Sequence, residues 1–149
     1  MMRLMNTKHK ILAAAPRTIL GLIFFVFGLN GFLHFLPTPP LEGGAAQLMG
    51  AFAASGYMFP LIKGTEVLAG LALLSNRFTA LALVALAPIT VNILAFHLVL
   101  APAGMGLTAL VLGLHLGSAW QLRNVYRPLL RAQVDAEEQP SPRLSPATA

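Results

Sequence analysis

Residues 59–100 read FPLIKGTEVLAGLALLSNRFTALALVALAPITVNILAFHLVL, and they decide the fold. The apolar segments on either side of Asn76-Arg77 each approach the ~20 residues that cross a hydrocarbon core as a helix. Asn76-Arg77 makes so short a turn that the second segment must fold back antiparallel on the first. Lys63, Glu66, Asn92 and His97 interrupt these otherwise greasy runs. Polar and ionisable groups inside a membrane span are costly and mark functional sites.

Outward from this pair, residues 18–36 (TILGLIFFVFGLNGFLHFL) form an earlier apolar segment, with Pro16 just ahead as an early-helix residue and Pro37, Pro39 and Pro40 stopping it. Met1–Lys10 is basic, but Arg17 interrupts the apolar stretch from Ile11 and no small-residue cleavage site follows Leu36, so the segment reads as a retained span. A last apolar segment ends before Arg123 and Pro128. The spans are thus expected at about 18–36, 59–75, 78–100 and 105–122, with Pro88 predicting a kink in the third. Residues 41–55 are Ala-rich and too short to span; they are expected as a short helix capping the outer face. Residues 132–149, rich in Ala, Pro, Ser, Gln and acids, read as a disordered polar tail. The expected fold is an all-α membrane protein, an antiparallel bundle of four transmembrane helices in one domain, 1–131.

Composition agrees with that class. Of 149 residues 56% are hydrophobic and 10% charged, with mean hydropathy +0.72. No length remains for a soluble catalytic domain, so the chain is not expected to be a complete enzyme on its own. The lack of cysteine excludes a disulfide, a thiol nucleophile, an iron–sulfur centre and covalently attached haem. A net charge of +5 points to orientation rather than nucleic acid, because the bases flank the apolar segments and no basic patch is interleaved with aromatics. Arg3, Lys8, Lys10 and Arg17 precede the first span, Arg77 separates the second and third, and Arg123, Arg127, Arg131 and Arg143 follow the fourth. Positive charge marks the cytoplasmic side, so both termini are expected there, with only Lys63 toward the far side.

Lipid removes most of the hydrophobic drive between spans, and close packing of small residues replaces it. Gly21, Gly28 and Gly31 thin the first span, Gly64 and Gly70 the second, and Ala109, Gly113 and Gly117 form a small-residue stripe on the fourth where another helix, including one from a second copy, can approach.

At ~1.5 Å rise per residue, Asn30 and His34 lie roughly 18 and 24 Å from the inner end of their span, and Lys63 and Glu66 roughly 6 and 10 Å below the outer boundary. Asn92 and His97 likewise fall in the outer half, and all six form the candidate ligand and proton site. Lys63 and Glu66 at i, i+3 can face the same way. One reading is a structural ion pair with Lys63 snorkelling outward; another makes Glu66 a proton acceptor or ligand anchor tuned by Lys63. Asparagines in spans also serve as interhelical fasteners at roughly 1 kcal/mol each. No residues carry metal-motif spacing, and no metal centre is expected.

The runs GLIFFVFGLNGFLHFLP, SGYMFPLIKGTEVLAGLALLSNRFTALAL and PITVNILAFHLVLAP resemble the DoxX family of small bacterial membrane proteins. The likeness covers roughly residues 16–130 and lies in the Gly/Asn end of the first span, the Gly-Tyr-x-x-Pro start of the second, and the regions of Glu66 and Asn92–His97. It implies a four-helix subunit in the bacterial cytoplasmic membrane. It also implies a link to redox complexes, with a soluble or membrane redox partner and a quinone as the ligand near the polar cluster. Two other readings of the same residues are a membrane scaffold or assembly protein and, ranked third, a small proton-coupled transporter acting as a homodimer.

Overall fold

The computed structural model describes residues 2–37 and 39–130; the tail expected at 132–149 lies outside the described residues. These residues form six α-helices: α1 (Met2–Leu33), α2 (Gly43–Ala54), α3 (Met58–Leu74), α4 (Thr79–Val99), α5 (Met105–Gln121) and α6 (Arg123–Tyr126). Short 3-10 turns at Pro102–Gly104 and Arg127–Leu130 complete the course, and no strand occurs among the described residues.

Among the described residues three segments are long and apolar enough to cross a membrane: Ala14–Leu33, Thr79–Val99 and Pro102–Gln121. A fourth exists if α2 and α3, bent by 91° at their junction, count as one broken span. With 17 residues, α3 rises only ~26 Å, somewhat short of a ~30 Å hydrocarbon core. The short helix expected within 41–55 is present as α2.

Two boundaries differ from the sequence reading. Helix α1 begins at Met2 rather than near Thr18, so Pro16 lies inside it. Proline removes one backbone donor without ending a helix whose flanking turns are intact. The helix also stops at Leu33, because His34 adopts a left-handed backbone (φ 50°) and its N–H donates to the Asn30 carbonyl at 2.9 Å. Pro88 is likewise accommodated within the single helix α4.

The helices pack as α1 on α3, α3 on α4, α4 on α5 and α5 back on α1. Their common core is Leu20, Phe24, Ala69, Leu73, Ala82, Leu83, Leu86 and Val111. The α1–α3 contact is the closest. A side chain at Gly21 would stand 2.9 Å from Leu73 Cβ, and one at Gly28 would stand 2.9 Å from Val67. A Cβ at Gly70 would lie 2.7 Å from the Phe25 backbone nitrogen. Numbering rises along α1 as it falls along α3, so the two run antiparallel. At Gly64, Gly113 and Gly117, by contrast, a Cβ would meet nothing within 4 Å, and Ala109 is exposed. The stripe expected to seat a helix therefore faces outward, because α5 turns a different face inward: Thr108, Val111, His115 and Ser118. Across that face Thr90 Oγ1 and His115 Nδ1 lie 2.9 Å apart, a buried interhelical hydrogen bond.

At the end of the helices marked by the α3–α4 turn, the Tyr126 hydroxyl donates to the Ala80 carbonyl at 3.1 Å. Burial pushes this phenol above the ordinary tyrosine value.

Gly70→Ala is expected to lower the thermal unfolding midpoint in detergent by the equivalent of about 1–3 kcal/mol, because backbone lies on the far side of the contact. Gly113→Ala and Gly117→Ala should leave the midpoint unchanged or raise it, alanine being the better helix former by ~1 kcal/mol. A common response from all three would remove the seam as the cause. The raised Tyr126 pKa belongs to the folded state. Its stabilisation is therefore full below about pH 10 and is lost as pH rises through the folded value. In Tyr57→Phe, which leaves a single phenol, ultraviolet titration should show ionisation later than in the unfolded chain.

Candidate functional site

The glycine seam determines where the charged pair sits. Gly28 faces α3 where Glu66 begins: a Cβ there would stand 3.0 Å from Glu66 Cβ. One turn on, a side chain at Gly31 would occupy the space taken by the aliphatic stem of Lys63. The two glycines thus leave room for a carboxylate and an ammonium on the inward side of α3. Lys63 Nζ donates to Glu66 Oε2 at 2.8 Å. The Glu66 side chain is 4% exposed and that of Lys63 22%, so the pair is open at its lysine end only. The adjoining ammonium offsets part of the loss of water at a carboxylate so enclosed.

Two cavities meet at this pair. The first, about 320 Å³, lies between α2, α3 and α4. Its polar lining is Lys63, Glu66, Asn92 and His97, and its walls are apolar, including Phe52, Phe59 and Phe96. The second, about 900 Å³, lies between the end of α1, the Pro39–Leu41 stretch and α2, and carries Asn30, His34, Lys63 and His97. Met49, Phe59, Lys63 and His97 line both. Each of the six residues singled out from sequence therefore borders one cavity or the other.

Their chemical freedom differs. Asn30 is buried, and its Oδ1 accepts from the Leu36 N–H at 2.6 Å, which pins the chain leaving α1. The His34 side chain is exposed at the mouth of the second cavity. Asn92 is exposed on α4 and faces the first. His97 Nδ1 lies 2.9 Å from the Ala101 carbonyl, so the proton of that contact is on Nδ1, which in the neutral ring leaves Nε2 as an acceptor. Its ring meets Phe96 edge-on at 5.2 Å, and Gly104 leaves the room it occupies. Among the described residues no three His, Asp or Glu side chains gather as a metal set.

Sequence reasoning missed the part played by α2. Read as a cap, it supplies Met49 and Phe52 to the cavity wall, and Phe52 packs edge-on against Phe59 of α3 at 6.5 Å. The available signal was the three large apolar residues, Leu48, Met49 and Phe52, in an otherwise Ala- and Gly-rich stretch.

Breaking the charged pair from one side should be costly. Lys63→Met is expected to destabilise by about 2–3 kcal/mol, below the ~3–5 of a fully enclosed pair because Lys63 reaches water. Adding Glu66→Leu should recover most of that loss. Chemical unfolding of both single variants and the double variant in detergent measures the coupling, and additive losses would mean the two groups do not act as a pair.

Comparison with protein-family models, curated proteins and solved structures returns no match to this chain.

Proposed function

We propose that the chain is an integral subunit of a redox-linked complex in the bacterial cytoplasmic membrane, a DoxX-like protein that presents a quinone-like ligand in the cavity beside Lys63 and Glu66. In this reading α1, α3 with α2, α4 and α5 form an antiparallel four-span bundle with both termini cytoplasmic. Arg17, Arg77, Arg123 and Arg127 gather toward one end of the helices and Lys63 stands toward the other, the asymmetry that the positive-inside rule associates with that orientation.

The observation that carries the ligand reading is a buried carboxylate paired with a lysine that borders two cavities, one of them walled largely by apolar and aromatic side chains. Such a space with a few convergent polar groups suits a flat apolar ring bearing carbonyl oxygens. The Lys63 ammonium donates to one oxygen. Asn92 can donate to the other, and His97 Nε2 can accept from its hydroxyl form. Reduction of a quinone takes two electrons, supplied by a partner chain, and two protons, one of which Glu66 is placed to relay.

A scaffold role is the second reading. It is favoured by the Asn30–Leu36 and Thr90–His115 hydrogen bonds, in which polar groups of the spans are used as fasteners. A transporter ranks third. The polar residues of the two cavities stop short of the other end, and towards it Leu20, Leu73, Leu83 and Leu86 are fully buried, with the Thr90–His115 pair near the middle.

Organic extraction of the full chain purified in mild detergent, followed by mass spectrometry, tests the ligand reading. Near-stoichiometric quinone is expected in the wild type, with at least a ~10-fold loss in Glu66→Gln at unchanged helix content, because Lys63 then loses the charge-assisted contact that holds its ammonium in place. Quinone absent from both proteins would favour the scaffold.

A further inference from the structure

A third cavity, about 290 Å³, lies at the end of the helices away from Lys63. Its polar lining is Arg17 of α1, Asn76 and Thr79 at the α3–α4 turn, and Ser118 and Gln121 of α5. Among the described residues, three buried side-chain polar atoms have no hydrogen-bond partner: Arg17 Nε, Thr79 Oγ1 and Ser118 Oγ. All three belong to this one cavity. Ser118 is only 3% exposed, so its hydroxyl meets little bulk solvent outside this cavity. Buried polar groups are nearly always paired, and three orphans on one cavity call for a shared partner.

The chemistry of that partner follows from the donors. A guanidinium Nε–H can only donate and carries positive charge, while the two hydroxyls can donate as well. The described carboxylates do not serve them: Glu66 is paired with Lys63, and Glu42 precedes α2 near the opposite end. Water would satisfy the hydroxyls but leave the charge unmatched. An oxyanion with several acceptor oxygens matches all three.

Depth identifies its source. The cavity is built from the start of the Ala14–Leu33 span, the start of Thr79–Val99 and the finish of Pro102–Gln121. That is the level at which hydrocarbon gives way to headgroups. Trp120, 70% exposed between Ser118 and Gln121, carries Arg123 over its ring at 5.3 Å, an arrangement suited to a membrane interface.

We propose that this cavity binds the phosphate of an anionic phospholipid, whose oxygens accept from Arg17 Nε–H and the Thr79 and Ser118 hydroxyls. One headgroup then ties α1, α4 and α5 together at their ends. The proposal shares no residue with the cavity at Lys63 and stands or falls separately from the quinone reading.

The test is native mass spectrometry of the full chain in mild detergent, titrated with phosphatidylglycerol, with phosphatidylcholine or with inorganic phosphate. One phosphatidylglycerol per chain is expected in the wild type and in Arg127→Gln, which removes a nearby charge outside the cavity. Arg17→Gln and Ser118→Ala should each weaken retention by about 10-fold or more. Arg17→Lys keeps the charge without the Nε–H and should fall between, which guards against misfolding of the neutral variant. Equal retention in wild type, Arg17→Gln and Ser118→Ala overturns the site. Displacement of the lipid by inorganic phosphate, with phosphate alone raising the unfolding midpoint as much, assigns a soluble oxyanion and overturns the lipid.

Discussion

The close approach of α1 and α3 is the constraint on which the rest of this structure depends. In lipid, apolar side chains gain little by leaving their surroundings, so helices must touch closely enough for dispersion and polar contacts to hold them. Gly21 and Gly28 on one side and Gly70 on the other bring backbone to within reach of backbone. The same seam that holds the helices decides the chemistry. Gly28 and Gly31 leave the volume into which Glu66 and the stem of Lys63 fit, and larger residues there would push the charged pair away from the interior. Packing and site formation are one event here.

The two ends of the molecule handle polarity in opposite ways. Toward Lys63, polar atoms are largely matched within the chain: lysine to glutamate, Asn30 to Leu36, His97 to Ala101. What remains for a ligand is apolar wall and a few residual valences, chiefly the remaining protons of Lys63 and the second nitrogen of His97. Toward Arg17, three buried polar atoms converge on one cavity with no hydrogen-bond partner among the described residues. Between them lie the fully buried Leu20, Leu73, Leu83 and Leu86 and the buried Thr90–His115 pair.

Several features are legible in the residues themselves. The four apolar segments emerge as α1, α3, α4 and α5, and the short Ala-rich stretch as α2. The turn at Asn76-Arg77 joins α3 to α4, with Asn76 and Phe78 in left-handed conformations that make so tight a connection feasible. The six polar residues singled out from sequence border adjoining cavities, because their heights along the helices follow from residue spacing alone. Less legible is the start of α1, where Pro16 reads as a boundary but is carried inside a longer helix. The small-residue stripe of α5 seats no helix of this chain, since spacing four defines a face without saying which way it points.

Sequence alone determined the class of the protein and the level of each polar group, because hydropathy and helical rise are properties of a single segment that need no partner. Only the tertiary structure decided how each helix is rotated about its axis. That rotation turns Gly21, Gly28 and Gly70 into contacts and leaves Gly113 and Gly117 open. It makes α2 a wall of the cavity beside Glu66, engages Asn30 with the Leu36 amide, and gathers Arg17, Thr79 and Ser118 from three distant stretches of chain. The reason is physical: an apolar run fixes that a helix is buried, whereas the pairing of a hydrogen-bond donor depends on angles and approaches of a few tenths of an ångström between helices, which a run of residue types does not encode.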